Sequence, residues 1–396
     1  MIRWMLTLAT ASALSLTVSL ASDSGANRAD GRPGAIEVVV TDKKGNPVSG
    51  LSAEDFELKI GKRDYAVTAV QEIRDGRLAV AAGSEDAQAR SEAGVHVLIF
   101  IDEHFNRRRE RDRILDRLES QLESLGTEDR VAVVAFDGGM TEALSDWVTP
   151  ENLPDLLQNA RTRPAEGILT GVEMTRGNPA PGRLGIRSSP NNPHALDDRS
   201  RMLVSWLQNI STAVTDSLLD YADAPGRKVA ILLSGGWPAS PSRFVYGAGN
   251  DNPVVDDRQG VRIFQQVIDA ANRTGFTLYP VDVPGIAPPD AQPEEGRTRS
   301  RTLDADLHDT LHSLADLTGG LALVDSRRLG IGDTVMRDAR AYYRIHFDPS
   351  WEQDEVMRKV RIKLKKRGLK VRHRPRLGNM PRGEREPRVR DRKTRW

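Results

Sequence analysis

The segment from Val95 to Ile101 is apolar at nearly every position and ends abruptly at Asp102. A run without a polar face predicts a parallel β-strand that is covered by helices on both sides. The residues that follow, from Glu103 to Asn106, are mostly polar. Open α/β sheets bind their ligands beyond the carboxyl ends of the strands, so we expect a functional site at this end of the strand.

The same apolar runs recur from residue 94 to residue 330, and they alternate with segments of helical periodicity. Predicted strands cover 95–101, 130–136, 144–148, 228–234, 276–283 and 321–324, and predicted helices cover 111–125, 150–157, 202–221, 261–271 and 303–317. This alternation predicts an α/β fold with a doubly wound, mostly parallel sheet and right-handed crossovers.

Both ends of the chain instead show the two-residue period of antiparallel strands. Strand-like runs lie at 36–41, 56–60 and 65–73, and again at 341–347, 360–364 and 369–371. Each set alone would leave an apolar face uncovered. We therefore predict that the α/β domain is inserted into a small β-sandwich, formed by residues 35–75 together with the strands of 341–376.

Three segments in the right order resemble the secreted VWFA-related family of acidobacterial type, whose central unit is a von Willebrand factor A domain. The amino-terminal match runs from Val38 through the Asp-Lys-Lys-Gly-Asn-Pro turn to Phe56. In the centre, the strand ending at Asp102 and the runs 129–136 and 232–236 are similar to an A domain. The closing match comprises 314–320, the pair Tyr342-Tyr343 and 367–372.

The resemblance implies a cation site at the top of the sheet, built in such domains from Asp-x-Ser-x-Ser, a Thr and a second Asp. Here Asp102 is kept, the two serines are His104 and Asn106, and Gly235 stands where the second Asp is expected. Thr170 is the predicted third ligand, with Thr175 nearby. Mg²⁺ needs several oxygen ligands, so Asp102, Asn106 and Thr170 make a degenerate site. The favoured interpretation is that Asp102 bonds neighbouring loops or caps a helix, and that no cofactor is bound. Mg²⁺ or another divalent cation is the alternative.

Other residues offer weaker chemistry. Asp137 and Asp282 also close buried strands and are alternative ligands. His308 and His312 are one helical turn apart, like the histidines of a zinc helix, but they flank a leucine stripe and lack a further ligand. The sequence has no cysteine, nucleophile elbow or phosphate loop, so we assign no catalytic residue.

Long segments rich in Gly, Pro, Asn and Arg interrupt the α/β pattern at 163–200, 235–258 and 284–302. Loops of this length in a compact domain are functional or disposable, and we expect them to form a binding rim. Trp237, Phe244 and Tyr246 are the predicted aromatic anchors. The predicted rim residues at the strand ends are Asp102, His104, Asn106, Asp137, Ser234, Trp237 and Asp282.

The two termini carry separate signals. Residues 1–21 resemble an export signal, with Arg3 before an apolar run and small residues before a cleavage point after Ala21; a retained membrane anchor is the alternative. Residues 22–34 are predicted to be a disordered linker, and 377–396 a disordered basic tail. From residue 358 to the end, 18 Lys or Arg stand against 3 Asp or Glu, which favours contact with an anionic surface but no specific nucleic acid.

These patterns predict an exported, periplasmic or secreted protein with no transmembrane segment after signal cleavage. The resemblance to the VWFA-related family implies a non-enzymatic function, adhesion or scaffolding, through an unknown protein partner. The alternatives are a metal-dependent adhesin or hydrolase that uses Asp102 and its neighbours, and an anionic-surface binder that uses the basic tail.

Overall fold

The computed structural model describes most of the chain. The described residues are 34–79, 94–165, 194–241, 244, 259–283, 294–324, 330–349, 356–377 and 394–395. The predicted export signal and Thr170, Tyr246 and most of the predicted basic tail lie outside them. Within the described residues, no helix is both long enough and apolar enough to cross a bilayer.

The described strands alternate with helices only in the middle of the chain. In chain order the strands are β1 (Gly34–Thr41), β2 (Phe56–Ile60), β3 (Arg63–Tyr65), β4 (Ala69–Arg74), β5 (Arg77–Leu78), β6 (His96–Asp102), β7 (Arg130–Phe136), β8 (Met140–Ala143), β9 (Lys228–Ser234), β10 (Phe276–Asp282), β11 (Tyr342–Phe347), β12 (Arg358–Leu364), β13 (Lys370–His373), β14 (Arg376–Leu377) and β15 (Thr394–Arg395). The helices are α1 (Arg108–Gln121), α2 (Leu153–Thr162), α3 (His194–Asp220), α4 (Gln259–Ile263), α5 (Gln265–Thr274), α6 (Glu294–Asp316) and α7 (Ile331–Arg340).

The central sheet is mostly parallel and has the order β10-β9-β6-β7-β8-β15 among the described strands. Strands β10, β9, β6 and β7 run parallel, whereas β8 pairs antiparallel with β7. From β6 the chain continues to β7 and β8 on one side of the sheet, and it then crosses to β9 and β10 on the other side. The strand order therefore reverses between β6 and β9. The sequence-based prediction of an α/β chain with a mostly parallel sheet is confirmed.

Alternate side chains of β6 enter two separate cores, because successive residues of a strand point to opposite faces. Leu98 and Phe100 pack with apolar residues of α3, α5 and α6. Val97, Ile99 and Ile101 pack with those of α1, α2 and α7. Every residue of β6 is buried, as the absence of a polar face predicts.

Strands from the two ends of the chain pair with each other. One sheet has the order β13-β1-β11-β4-β5 and another the order β14-β12-β2-β3. In the first, β1 lies between β11 and β13 and is antiparallel to both. In the second, β12 pairs antiparallel with β2. A single apolar cluster joins the two sheets, with Val38 and Tyr343 from one and Leu58 and Ile362 from the other.

Partly buried ion pairs join these strands to the amino-terminal edge of the parallel sheet. Glu37 of β1 accepts hydrogen bonds from Arg227, which precedes β9, and from Arg374 at 3.0 Å. Burial opposes ionisation of Glu37, but Arg227 and Arg374 outweigh it and hold the pKa below its ordinary value. On α7, Asp338 accepts a bond of 2.5 Å from Arg372 of β13. These charges therefore fix the strands against the α/β unit at the edge opposite Asp102.

Some local predictions need correction. The edge strand beside β7 is Met140–Ala143 and not 144–148, where only Val148 bridges to Val131. The residues of an edge strand are partly exposed, so apolar residues mark its limits poorly. The prediction relied on the apolar residues at 144 and 148 and therefore placed the strand too late in the chain. The helix predicted over 261–271 is divided into α4 and α5 at Phe264. Near the carboxyl terminus, Thr394 and Arg395 pair with β8.

Candidate functional site at the carboxyl end of the parallel sheet

Asp102 is the last residue of β6 and lies where the strand order reverses between β6 and β9. Its side chain is 0% exposed. One carboxyl oxygen accepts hydrogen bonds from Ser234 Oγ at 2.8 Å and Trp237 Nε1 at 2.9 Å. The other accepts one from the backbone N–H of Phe105 at 3.1 Å. Both oxygens are therefore bonded to donors of the same chain, and all three donors are uncharged.

The pKa of Asp102 reflects this environment. Burial raises the pKa to about 6, and the hydrogen bonds from Trp237, Ser234 and Phe105 oppose the rise without cancelling it. No basic side chain contributes among the main causes. The ionised carboxylate is consequently held by dipoles alone, at a cost in folding free energy.

The stability of the protein should show this cost as a pH dependence. The folded pKa of Asp102, about 6, lies above its ordinary value of 3.8. The contribution of Asp102 to stability is therefore complete below about pH 4 and is lost as the pH rises through about 6. We expect the free energy of unfolding of the wild type to fall, relative to Asp102→Asn, by about 3 kcal/mol between about pH 4 and pH 7. Urea unfolding of both proteins across this pH range measures the difference. If the unfolding free energies of the two proteins changed equally with pH, the raised pKa would not belong to Asp102.

The neighbouring residues of the predicted cation site are also committed to internal contacts. Asn106 is 0% exposed, and its Nδ2 donates to the Leu233 carbonyl at 3.2 Å. Its Oδ1 has no hydrogen-bond partner within the described residues. At Gly235, an added Cβ would lie 2.3 Å from the carbonyl oxygen of Phe105. The position expected to carry the second Asp has no room for a side chain.

The donors among the described residues do not fit a divalent cation of the Mg²⁺ type. Such an ion takes about six oxygen ligands in a near-octahedral arrangement. Here the Asp102 oxygens are already bonded, Gly235 offers no side chain, and Asn106 Oδ1 is the one side-chain oxygen of this group left available among the described residues. Nowhere in the described part of the chain do three or more His, Asp or Glu side chains converge as a metal-binding group.

The aromatic residues near Asp102 are buried beneath the site and do not project into solvent. Trp237, predicted as an aromatic anchor of the binding rim, is 0% exposed and stacks on Phe264 with a centroid distance of 4.7 Å. Phe244 is also buried. His104 packs edge-on against Trp206 and lies against Gly138, where an added Cβ would be 2.4 Å from its Nδ1. Of the predicted strand-end rim residues, only Asp137 is exposed.

Asp137 organises the turn between β7 and β8. One of its carboxyl oxygens accepts the backbone N–H groups of Gly139 at 2.9 Å and Met140 at 2.7 Å. This is the local hydrogen bonding that Asp favours in turns. On the opposite side of the site, Asp282 ends β10 and lies 3.3 Å from His308 Nε2. The structure thus brings His308 to Asp282, and the two histidines of α6 do not converge on a common ligand group within the described residues.

A buried charge cluster next to Asp102 was missed from the sequence. Glu103 is 1% exposed, and its carboxylate lies 2.9 Å from Arg163 Nε and 3.4 Å from Arg111 Nη1. Burial raises the pKa of Glu103 to about 7 against the lowering effect of the two guanidinium groups. Arg111 also donates to the backbone carbonyls of Arg161 and Arg163. The cluster therefore ties β6 and α1 to the segment that follows α2.

One signal in the sequence does point to this cluster. Arg111 lies three and four residues before Ile114 and Leu115, on the apolar stripe of α1. A charged residue on a buried stripe requires a buried partner of opposite charge. The nearest acidic residue beyond the end of the strand is Glu103.

Comparison with known proteins gives only distant matches. No protein-family model matches the sequence, and no curated protein matches it. The vWF domain of the type V pili tip protein Mfa5 from Porphyromonas gingivalis is similar at 12% identity with a TM-score of 0.24, over 62% of this chain and 95% of that one. The SpRpn10 VWA domain is similar at 10% identity with a TM-score of 0.19, over 53% of this chain and 95% of that one.

A pilus adhesin gives a broader but equally weak match. The open conformation of SpaC from Lactobacillus rhamnosus GG is similar at 10% identity with a TM-score of 0.27, over 85% of this chain. The chain covers 48% of SpaC, about half its length. At such scores these likenesses support no statement about this chain, whose fold is established by its own strand order and packing.

Proposed function

We propose that this chain is a non-enzymatic interaction protein, with an adhesion or scaffold role, built on an A-domain-like unit whose cation site is degenerate. The observation that carries the proposal is the set of hydrogen bonds at Asp102. Ser234, Trp237 and Phe105 occupy the carboxyl oxygens that a cation-dependent A domain keeps for its ion. In this proposal the hydrogen bonds do the structural work of the metal and hold the strand ends in one arrangement.

The proposal includes a partner protein that binds the rim above these strand ends. Asp102, Asn106, Ser234 and Trp237 are 0% exposed, so their role is to position the surrounding segments and not to contact the partner. The first segment predicted to form the rim begins at Arg163, which is partly buried and is held by the buried carboxylate of Glu103. A rigid scaffold that carries variable segments is a common arrangement for binding.

The proposed organisation and location follow the resemblance to secreted VWFA-related proteins. The α/β unit, residues 94–330, is inserted into a β-sandwich of residues 35–75 and 341–376. The pairing of β1 with β11 and of β2 with β12, and their common apolar core, support this organisation. Export of the protein is proposed from the apolar segment that ends near Ala21.

The rival function is a metal-dependent adhesin or hydrolase at Asp102. A ligand that binds only the folded state at a hundred times its dissociation constant stabilises that state by about 2.7 kcal/mol, so a functional ion produces a clear shift in melting temperature. We expect purified protein to contain no stoichiometric metal and to melt at the same temperature with EDTA, Mg²⁺ or Mn²⁺. Elemental analysis and thermal melts measure both, and bound metal with a chelator-dependent shift would replace the proposal with its rival.

A second experiment tests the interaction itself. Because Trp237 and Phe244 are buried, a trimmed variant should retain them and shorten only residues 245–258. We expect the intact protein to retain a specific partner from an envelope fraction and the trimmed protein to lose it, with equal melting temperatures. Equal capture by both proteins would remove this segment from the proposed rim.

A further inference from the structure

The outer face of the four-stranded sheet carries a row of basic side chains on β12. Lys359, Arg361 and Lys363 are exposed, whereas Val360 and Ile362 between them are buried. Residues two apart on a strand are about 7 Å apart and point to the same side. The basic row, defined as Lys359, Arg361 and Lys363, therefore presents three positive charges at regular spacing along about 14 Å of strand.

The neighbouring strands limit this positive charge to a narrow band. Lys363 lies opposite Glu57 of β2, and Arg361 lies opposite Lys59. Lys59 is itself paired with Asp64 of β3 at 3.5 Å. A shallow cleft of about 170 Å³ follows this part of the sheet, and it is lined by Glu57, Leu58, Lys59, Asp64, Arg361 and Lys363. The face is positive along β12 and mixed in sign beside it.

We propose that the basic row binds a linear polyanion, specifically an acidic polysaccharide with carboxylates repeated along its chain. A charged row along one strand matches a single extended polymer, which would meet Glu57 only beside Lys363 and would lie two strands away from Asp64. The proposed site lies on the sheet β14-β12-β2-β3, which is formed by strands from the two ends of the chain. It is therefore separate from the protein-binding rim that we propose for the α/β unit.

The same face is poorly suited to other anionic partners. A membrane surface would cover β2 and β3 as well as β12, and would bring Glu57 and Asp64 against anionic headgroups. Val356 is the one large apolar side chain that is exposed among the described residues, so there is little apolar surface for insertion. No aromatic side chain lies between the basic residues of β12, which removes the stacking platforms that single-stranded nucleic acids use.

Binding of fluorescently labelled polygalacturonate to the full chain tests the proposal. We expect binding at low ionic strength, loss of binding at moderate salt, and no binding of neutral dextran. The double variant Arg361→Glu with Lys363→Glu should bind about tenfold more weakly. A neutral variant, Arg361→Gln with Lys363→Gln, should show a smaller loss, and it serves as the second test if the first variant melts at a lower temperature.

A charge-matched control separates the basic row from the net charge of the protein. Arg109 and Arg117 are exposed on α1, and the variant Arg109→Glu with Arg117→Glu makes the same change in charge away from β12. Its affinity should stay within about twofold of the wild type. Equal losses in the two double variants, or no binding of polygalacturonate at all, would overturn the proposal.

Two further arms identify the source of any binding. Deletion of residues 378–396 should leave the effect of the Arg361 and Lys363 substitutions intact, because the proposed site is in the folded sheet. If binding were lost on deletion of residues 378–396 and unchanged by the Arg361 and Lys363 substitutions, the tail would be the binding site and the proposal would be overturned. Vesicles of phosphatidylglycerol should bind weakly, and vesicle binding that falls in parallel with polymer binding would indicate a general anionic-surface contact instead.

Discussion

Gly235→Asp is expected to destabilise the protein by about 4 kcal/mol or more and to create no metal site. The substitution puts back the carboxylate that the resemblance to A domains expects at this position. However, its Cβ would lie 2.3 Å from the carbonyl oxygen of Phe105 and 3.1 Å from the carbonyl carbon. Overpacking of this kind costs about 1–3 kcal/mol, and burying an unpaired carboxylate adds several more. Moving Phe105 aside would also disturb its hydrogen bond to Asp102.

Urea unfolding with and without Mg²⁺ measures both parts of this expectation. Gly139→Asp is the matched control, because an added Cβ there has its nearest neighbour at 3.9 Å and the position is exposed. We expect the control to cost less than about 1 kcal/mol. If Mg²⁺ restored the stability of Gly235→Asp, the site would be a cation site that lacks one ligand, and the hydrogen-bonded arrangement would no longer explain its loss.

The positions of the central strands could be predicted closely from the sequence. The predicted limits of β7 and β9, 130–136 and 228–234, agree with the structure at every residue. Buried parallel strands are bounded by a sharp change from apolar to polar residues, so their ends are visible in the sequence. The edge strand β8 has partly exposed residues on both sides, and its position could not be read in the same way.

The chemistry at Asp102 was less accessible to prediction. A tryptophan after two glycines in a loop suggests an exposed contact residue, and the sequence contains nothing that aims its indole N–H at a carboxylate 135 positions earlier. Its burial depends on the stack with Phe264 and on Gly236, where φ is +96° and an added Cβ would meet Leu307 at 2.8 Å. Contacts among three distant segments produce this arrangement, and no local pattern encodes them.

Arg111→Met is the second substitution with a large expected effect, about 3–5 kcal/mol of destabilisation. Arg111 is 0% exposed and Glu103 is 1% exposed, so removing the guanidinium leaves a buried carboxylate with a single remaining partner, Arg163. Breaking one side of a buried ion pair has a cost in this range because the other charge stays desolvated. The carbonyls of Arg161 and Arg163 lose their donor as well.

The control for this substitution lies on the same helix. Arg113 is 66% exposed and pairs with Glu110 at 2.9 Å, so Arg113→Met should cost less than about 1 kcal/mol. Adding Glu103→Gln to Arg111→Met should recover part of the loss, because the buried carboxylate, left with Arg163 as a single partner, is then removed. The double-mutant cycle is completed by measuring the unfolding free energies of Arg111→Met, of Glu103→Gln and of the variant that combines them. If Arg111→Met were no more costly than Arg113→Met, the Glu103 cluster would not hold the segment after α2 against β6, and the rigid base that we propose for the binding rim would be lost.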